Sequence, residues 1–255
     1  MEQAQPGPHM THMTSPEVGA ALAGGQTTAI VVLGAQEQHG DHLPLMTDAR
    51  WGHHLAGMLS QRLGGALIAP VVSVGFSPEH MRFPGSITLR QETLWAVIED
   101  YVTSLKRHGF RRIVLMPSHG GNFAPLIEAL PGLRERHPEI NLVAFTDLLE
   151  LVDAAAETAT SMGVTSAEGG AHAGEWETSM MLAVEPTAVH PERGKPGYLG
   201  PLGPVLDQIN RDGMEAVAPD GVLGDPAKAS AEHGRAYLER MADLFADFVA
   251  RASRA

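Results

Sequence analysis

Four short apolar runs, at 29–34, 67–74, 112–116 and 141–145, alternate with helical periodicity over 49–63, 89–108 and 123–136. Short apolar runs bounded by Gly or Pro read as buried strands, and strands alternating with helices read as βαβ units. The alternation predicts a mainly parallel sheet with helices on both faces. Thr88 with Gln91 reads as a capping box opening the second helix, and Gly109 as its stop. After Asp147 the order changes. A helix is expected over 148–162, a Gly-rich loop at 168–171 and a short helix over 175–184. An irregular Pro/Gly-rich stretch follows over 186–225, then a last helix over 226–251. That helix carries Tyr237, Leu238, Met241, Leu244, Phe245 and Phe248 at core spacing.

No repeat or linker divides the chain, so residues 16–255 read as one domain. Residues 1–15, rich in Met, His and Pro, read as a leader, disordered or foreign to the native chain. A chain of 255 residues that is 44% hydrophobic can bury a sizeable core. No apolar stretch has transmembrane length and the N-terminus lacks a signal-peptide core, so a cytoplasmic protein with no membrane partner is expected. Cysteine is absent, which excludes disulfides and thiolate metal sites. The formal net charge of -12 argues against nucleic acid as a partner.

Open α/β sheets place their chemistry beyond the carboxyl ends of the strands. The first run is followed there by Glu37, His39, His42 and Asp48, all oxygen or imidazole donors suited to a divalent metal. If extended backbone persists from Glu37 to His39, both side chains point to one side. Gly40 and Pro44 then force a turn that can bring Asp48 back. Plainer readings stand beside this one. Asp48 precedes the periodic segment Trp51, Leu55, Met58, Leu59 and could be a helix N-cap, and His42 could be a surface-loop residue.

A second cluster, Ser118-His119-Gly120-Gly121-Asn122, follows the third run and offers His119 as a ligand. Asn122 can cap the next helix; the alternative is a plain β-to-α turn. In the third cluster, from Ala171 to Met181, helical phase separates two glutamates. Glu177 shares a face with Met180, Met181 and Val184, where a carboxylate is unfavourable unless paired or bound to a cation. Glu175 shares a face with Thr178 and Ser179 and reads as solvated. A fourth segment, from Gly75 to Ser86, offers Glu79 and His80 either as substrate-facing groups or as part of a surface loop.

Taken together, Gly34-Ala35-Gln36-Glu37-Gln38-His39-Gly40 with Leu43-Pro44-Leu45 and Thr47-Asp48 resembles the opening signature of the creatininase (creatinine amidohydrolase) family. Phe83-Pro84-Gly85-Ser86, Ser118-His119-Gly120-Gly121-Asn122, and His172-Ala173-Gly174 with Glu177-Thr178-Ser179 resemble its later motifs in the family order. The resemblance implies a three-layer α/β/α sandwich, often assembled as a homo-oligomer, a hexamer among them. It also implies two divalent metal ions per chain, Zn, Mn or Fe, and hydrolysis of a C–N bond in a small-molecule substrate. On that resemblance Glu37 and His119 hold one ion, His39 the other, Asp48 bridges them, and His172 is catalytic. Creatinine-hydrolysing members carry a glutamate ligand where this chain has Gly121, so Glu177 is taken as the replacement ligand. Glu168 falls near the place of a tryptophan that covers creatinine, and it joins Glu79 and His80 as a candidate substrate contact.

These departures argue against creatinine itself. The expected activity is hydrolysis of a small cyclic amide, formamide or related bond by metal-activated water. The alternatives are a peptidase or deformylase of cofactor biosynthesis, or a non-catalytic metal-binding or structural oligomer.

Overall fold

The computed structural model describes residues 7–252. Its sheet has four parallel strands in the order β2-β1-β3-β4: β1 (Thr28–Leu33), β2 (Leu67–Ile68), β3 (Arg112–Pro117) and β4 (Asn141–Ala144). β1 and β3 pair along their whole length, with Thr28 opposite Arg112 and Leu33 opposite Pro117. Their carboxyl ends, and the segments that leave them, therefore emerge side by side.

The helices are α1 (Ser15–Ala23), α2 (Thr47–Arg62), α3 (Gln91–His108), α4 (Phe123–Arg136), α5 (Leu148–Ser161), α6 (Ser166–Gly169), α7 (Glu175–Val184), α8 (Gly203–Asp212) and α9 (Ala231–Ala252). Side chains alternate across β1, and this alternation creates the layers. Ile30 and Val32 join Val114, Met116 and Val143 in a core closed by α2, α5, α7 and α9. Ala29, Val31 and Leu33 join Ile113, Leu115 and Leu142 in a second core closed by α3 and α4. These aliphatic side chains are essentially inaccessible, each contributing about 1.5–3 kcal/mol on burial. The three-layer α/β/α architecture expected from the sequence is the one observed. No helix of the described residues is long and apolar enough to cross a membrane.

Several local expectations are corrected. β2 is two residues long, not eight, because Pro70 has no N–H to give the ladder. Beyond it Val72 makes an isolated bridge to Leu33. Thr88 and Gln91 form no capping box: Arg90 is the N-cap of α3, and Thr88 Oγ1 instead accepts the Ser77 N–H at 2.8 Å. Gly109 does end α3, in the left-handed region at φ 101°. The stretch 186–225 contains α8, α6 runs into the start of the Gly-rich loop, and the last helix starts at Ala231.

Residues 7–15, part of the expected leader, pack against the fold. His9 is buried and bridges to Ile68, whose N–H donates to the Pro8 carbonyl at 3.0 Å. The His9 ring stands against His53 on α2. Docking on the sheet edge and on α2 gives this segment its order. Residues 1–6 lie outside the described residues.

Candidate metal centre

Three chain segments converge beyond the ends of β1 and β3. Leaving β1, the chain runs through Glu37 and His39 and turns at Gly40, whose φ of 62° suits a residue without a Cβ. The Glu37 N–H donates to the Leu45 carbonyl, and His39 bridges to Leu43. The loop is thus a tight excursion that returns Asp48 to the first turn of α2. From β3 comes His119; from α7 comes Glu177.

The donor atoms meet in two halves that share Asp48. Asp48 Oδ1 lies 3.2 Å from His39 Nε2, which is 3.8 Å from Glu177 Oε2. Asp48 Oδ2 lies 3.3 Å from His119 Nδ1, and that nitrogen is 3.3 Å from Glu37 Oε1. All five side chains are at most 5% exposed. Glu37 Oε2, His39 Nε2 and Asp48 Oδ2 are buried with no hydrogen-bond partner. Buried polar atoms are rarely left so; a pair of cations, one in each half, would satisfy all three. The donor set of imidazoles and carboxylates suits Zn, Mn or Fe as divalent ions.

The far nitrogens support the same arrangement. His39 Nδ1–H donates to the Glu37 carbonyl (3.1 Å) and His119 Nε2–H to the Phe76 carbonyl (2.9 Å). Each ring thereby turns its other nitrogen, with its lone pair, toward the carboxylates, which is how metal-ligating histidines are oriented. Without a cation, protons take its place. Burial disfavours charge on His39, yet Asp48 above all, backed by Glu177 and Glu37, pushes the imidazole up to about 10. Burial pushes Glu177 up to about 7 against the pull of His39. Cations would displace such protons on binding.

His172 precedes α7 and sits against this cluster, its ring 4.0 Å from that of His39. Its Nε2–H donates to the Gln38 carbonyl at 2.8 Å, so Nδ1 faces Glu37 Oε1 at 3.7 Å. Burial first, then the His39 and His80 charges, hold it well below the usual histidine range. His172 thus turns Nδ1 toward the donor cluster. Ala173, next to it, has φ 52°, the only non-Gly positive φ among the described residues. This strained turn delivers the Ala173 N–H to Glu177 Oε2 at 2.6 Å.

Of the candidate substrate contacts, Glu79 and His80 are at the centre. His80 Nε2 lies 3.4 Å from Glu37 Oε1 and Glu79 Oε1 3.8 Å from His119 Nε2. Glu168 is not. Its carboxylate caps α6 through Thr165 and pairs with Lys228 at 2.9 Å, so its expected substrate contact is corrected to a structural one. Asp48 is no N-cap, since Met46 holds that position and the carboxylate is turned inward. His42 is buried, not a loop-surface residue, and meets Thr178 Oγ1 at 2.9 Å. Glu175 is not solvated either. It is 0% exposed and accepts from Ser179 (2.7 Å), His233 (2.8 Å) and Tyr237 (2.5 Å), tying α7 to α9.

Sequence reasoning missed a supporting bracket. Asn122 Nδ2 donates to the Leu33 and Gly34 carbonyls while its Oδ1 accepts from Phe76 N–H, and Ser118 Oγ donates to the Asp48 carbonyl. Asn122 thus ties the end of β1 to the 75–80 loop, where a cap for α4 was expected. Gly121 sits inside this bracket. A Cβ there would run into the Phe76 carbonyl and stand 2.5 Å from His119 Nε2. Gly121→Ala is expected to destabilise the fold by about 1–3 kcal/mol, read as a lowered Tm, and to loosen metal binding at His119; an unchanged Tm would contradict this packing.

A cavity of about 420 Å³ opens onto the centre. Its walls carry Phe123, Ile127, Leu148, Leu151, Leu206 and Ile209, and no Lys or Arg is among the described residues that line it.

The profile of the creatininase family, described as creatinine amidohydrolase, matches residues 11–249. A mycofactocin precursor peptide peptidase of Mycobacterium tuberculosis is 34% identical over 251 residues, covering 93% of this chain and 91% of that protein. The crystal structure of a creatinine amidohydrolase (creatininase) superposes with a TM-score of 0.80 at 26% identity, over 96% of this chain and 97% of that one. A structure described as creatininase Mn gives 0.76 at 26% identity, covering 94% and 96%.

Proposed function

The chain belongs to the creatininase family, and on that premise we propose that it is a metal-dependent hydrolase cleaving a peptide C–N bond beside an apolar side chain. The observation that carries this reading is the cavity. At about 420 Å³ it falls within the usual range for ligand pockets. Its apolar walls favour an aliphatic or aromatic group beside the scissile bond. The lack of a lining Lys or Arg disfavours a phosphate-bearing substrate, which a cation would recognise. Small polar creatinine would leave those walls unmatched. A precursor peptide, an alternative on the sequence alone, therefore moves ahead of the cyclic amide or formamide. The name of the M. tuberculosis relative supports the same order.

In this reading Glu37, Asp48 and His119 would hold one divalent ion, and His39, Asp48 and Glu177 the other. Such a pair supplies Lewis acidity, lowering the pKa of a water and polarising the amide carbonyl. The chain supplies the rest. Nδ1 of neutral His172 accepts a proton from the attacking water and returns it to the departing nitrogen. The apolar walls seat the neighbouring side chain and keep bulk water from the scissile bond.

The test is mass spectrometry of protein loaded with Zn²⁺ or Mn²⁺ against short peptides ending in apolar residues, with creatinine in parallel. Peptide cleavage with little creatinine turnover is expected. Creatinine turned over at the ~10 s⁻¹ typical of enzymes on their own substrates, with every peptide intact, would reverse the assignment.

A further inference from the structure

We propose that Glu79 is a metal ligand, completing the Glu37–Asp48–His119 half of the centre; this rests on the dimetal reading above. Glu79 lies on the short turn Pro78–His80, its side chain 10% exposed. One oxygen of Glu79, one of Glu37 and one nitrogen of His119 lie within 4.8 Å of one another. Among the described residues no side chain donates a hydrogen bond to this carboxylate: the His119 Nε2 proton goes to the Phe76 carbonyl, leaving Glu79 Oε1 3.8 Å away. A carboxylate whose oxygen lies within 4.8 Å of a Glu37 oxygen is unfavourable unless a cation lies between them.

Gly121 explains how the turn comes so close. A Cβ on residue 121 would stand 3.1 Å from Glu79 Oε1, within the volume between that oxygen and His119. Because residue 121 is bare, the 78–80 turn can close on the centre and bring its own carboxylate. Gly121 and Glu79 are in this sense one device: the glycine clears the space and the glutamate fills it. One half then has Glu37, Asp48, His119 and Glu79 around it, and the other has His39, Asp48 and Glu177.

Calorimetric titration of metal-depleted full-length protein with Mn²⁺ tests this. Wild-type protein is expected to take up two equivalents. Glu79→Gln is expected to keep one near wild-type affinity and weaken the other by roughly 10–100-fold. Glu177→Gln should weaken the opposite ion, so Glu79→Gln with Glu177→Gln should weaken both. Glu79→Asp keeps the charge but shortens its reach, and should also weaken one ion, which guards against a variant that merely folds poorly. Two Mn²⁺ bound at wild-type affinity by Glu79→Gln, with only KM for substrate raised, would overturn the ligand role and make Glu79 a substrate contact. Wild-type protein that takes up no Mn²⁺ would overturn the dimetal reading along with this one.

Discussion

Asp48→Ala is expected to empty both halves of the centre at once. Asp48 reaches both with separate oxygens, Oδ1 3.2 Å from His39 Nε2 and Oδ2 3.3 Å from His119 Nδ1. Removing it takes a shared donor from two cation positions, whereas Glu177→Gln removes a donor from only one. Elemental analysis should therefore fall from about two divalent ions per chain toward zero in Asp48→Ala, and to about one in Glu177→Gln. Activity should fall by roughly 10³-fold or more, because metal ions supply several kcal/mol of transition-state stabilisation and each 1.36 kcal/mol is tenfold in rate. The cores on either side of the sheet do not depend on this carboxylate, so circular dichroism should show a folded variant. Retention of two ions by folded Asp48→Ala would show that the shared position is not a bridge.

His172→Ala should separate metal retention from chemistry. The imidazole is anchored by Nε2 to the Gln38 carbonyl and turns Nδ1 toward Glu37 at 3.7 Å, near enough to transfer a proton to a group between them. Losing that general acid and base should cost about 10²–10⁴-fold in kcat while the metal content stays that of wild type. The contrary outcome has a structural basis as well, since one donor atom each from Glu37, His39 and His172 also lie within 4.8 Å of one another. A variant that drops one ion would identify His172 as a ligand and remove it from proton transfer.

Parts of this centre were legible in the sequence for local reasons. Glu37 and His39 are two residues apart and both are buried beyond the end of β1, with one donor atom of each within 4.8 Å of the other. The face of α7 that carries Met180 and Met181 did carry Glu177 inward. The same phase argument failed for Glu175. It assumed that a helix has one solvated face, but every residue from Glu175 to Met181 is buried. Glu175 is accommodated by His233 and Tyr237, which are 58 and 62 residues away in sequence. Glu168, read as a substrate contact from its place near a family tryptophan, likewise has its partner Lys228 60 residues downstream.

By itself, the sequence determined the alternation that splits β1 between two cores, the parallel order that follows from βα repeats, and the presence of metal-suited donors after three of its elements. These are properties of one segment at a time, and periodicity encodes which side of its own element a residue occupies. Only the tertiary structure decided that Asp48 faces two histidines instead of capping α2, that Glu79 turns toward His119, and that apolar walls from α4, α5 and α8 surround the approach. Those outcomes depend on distances between elements far apart in the chain. Such distances are set by how whole layers pack, and no local pattern of residues carries them.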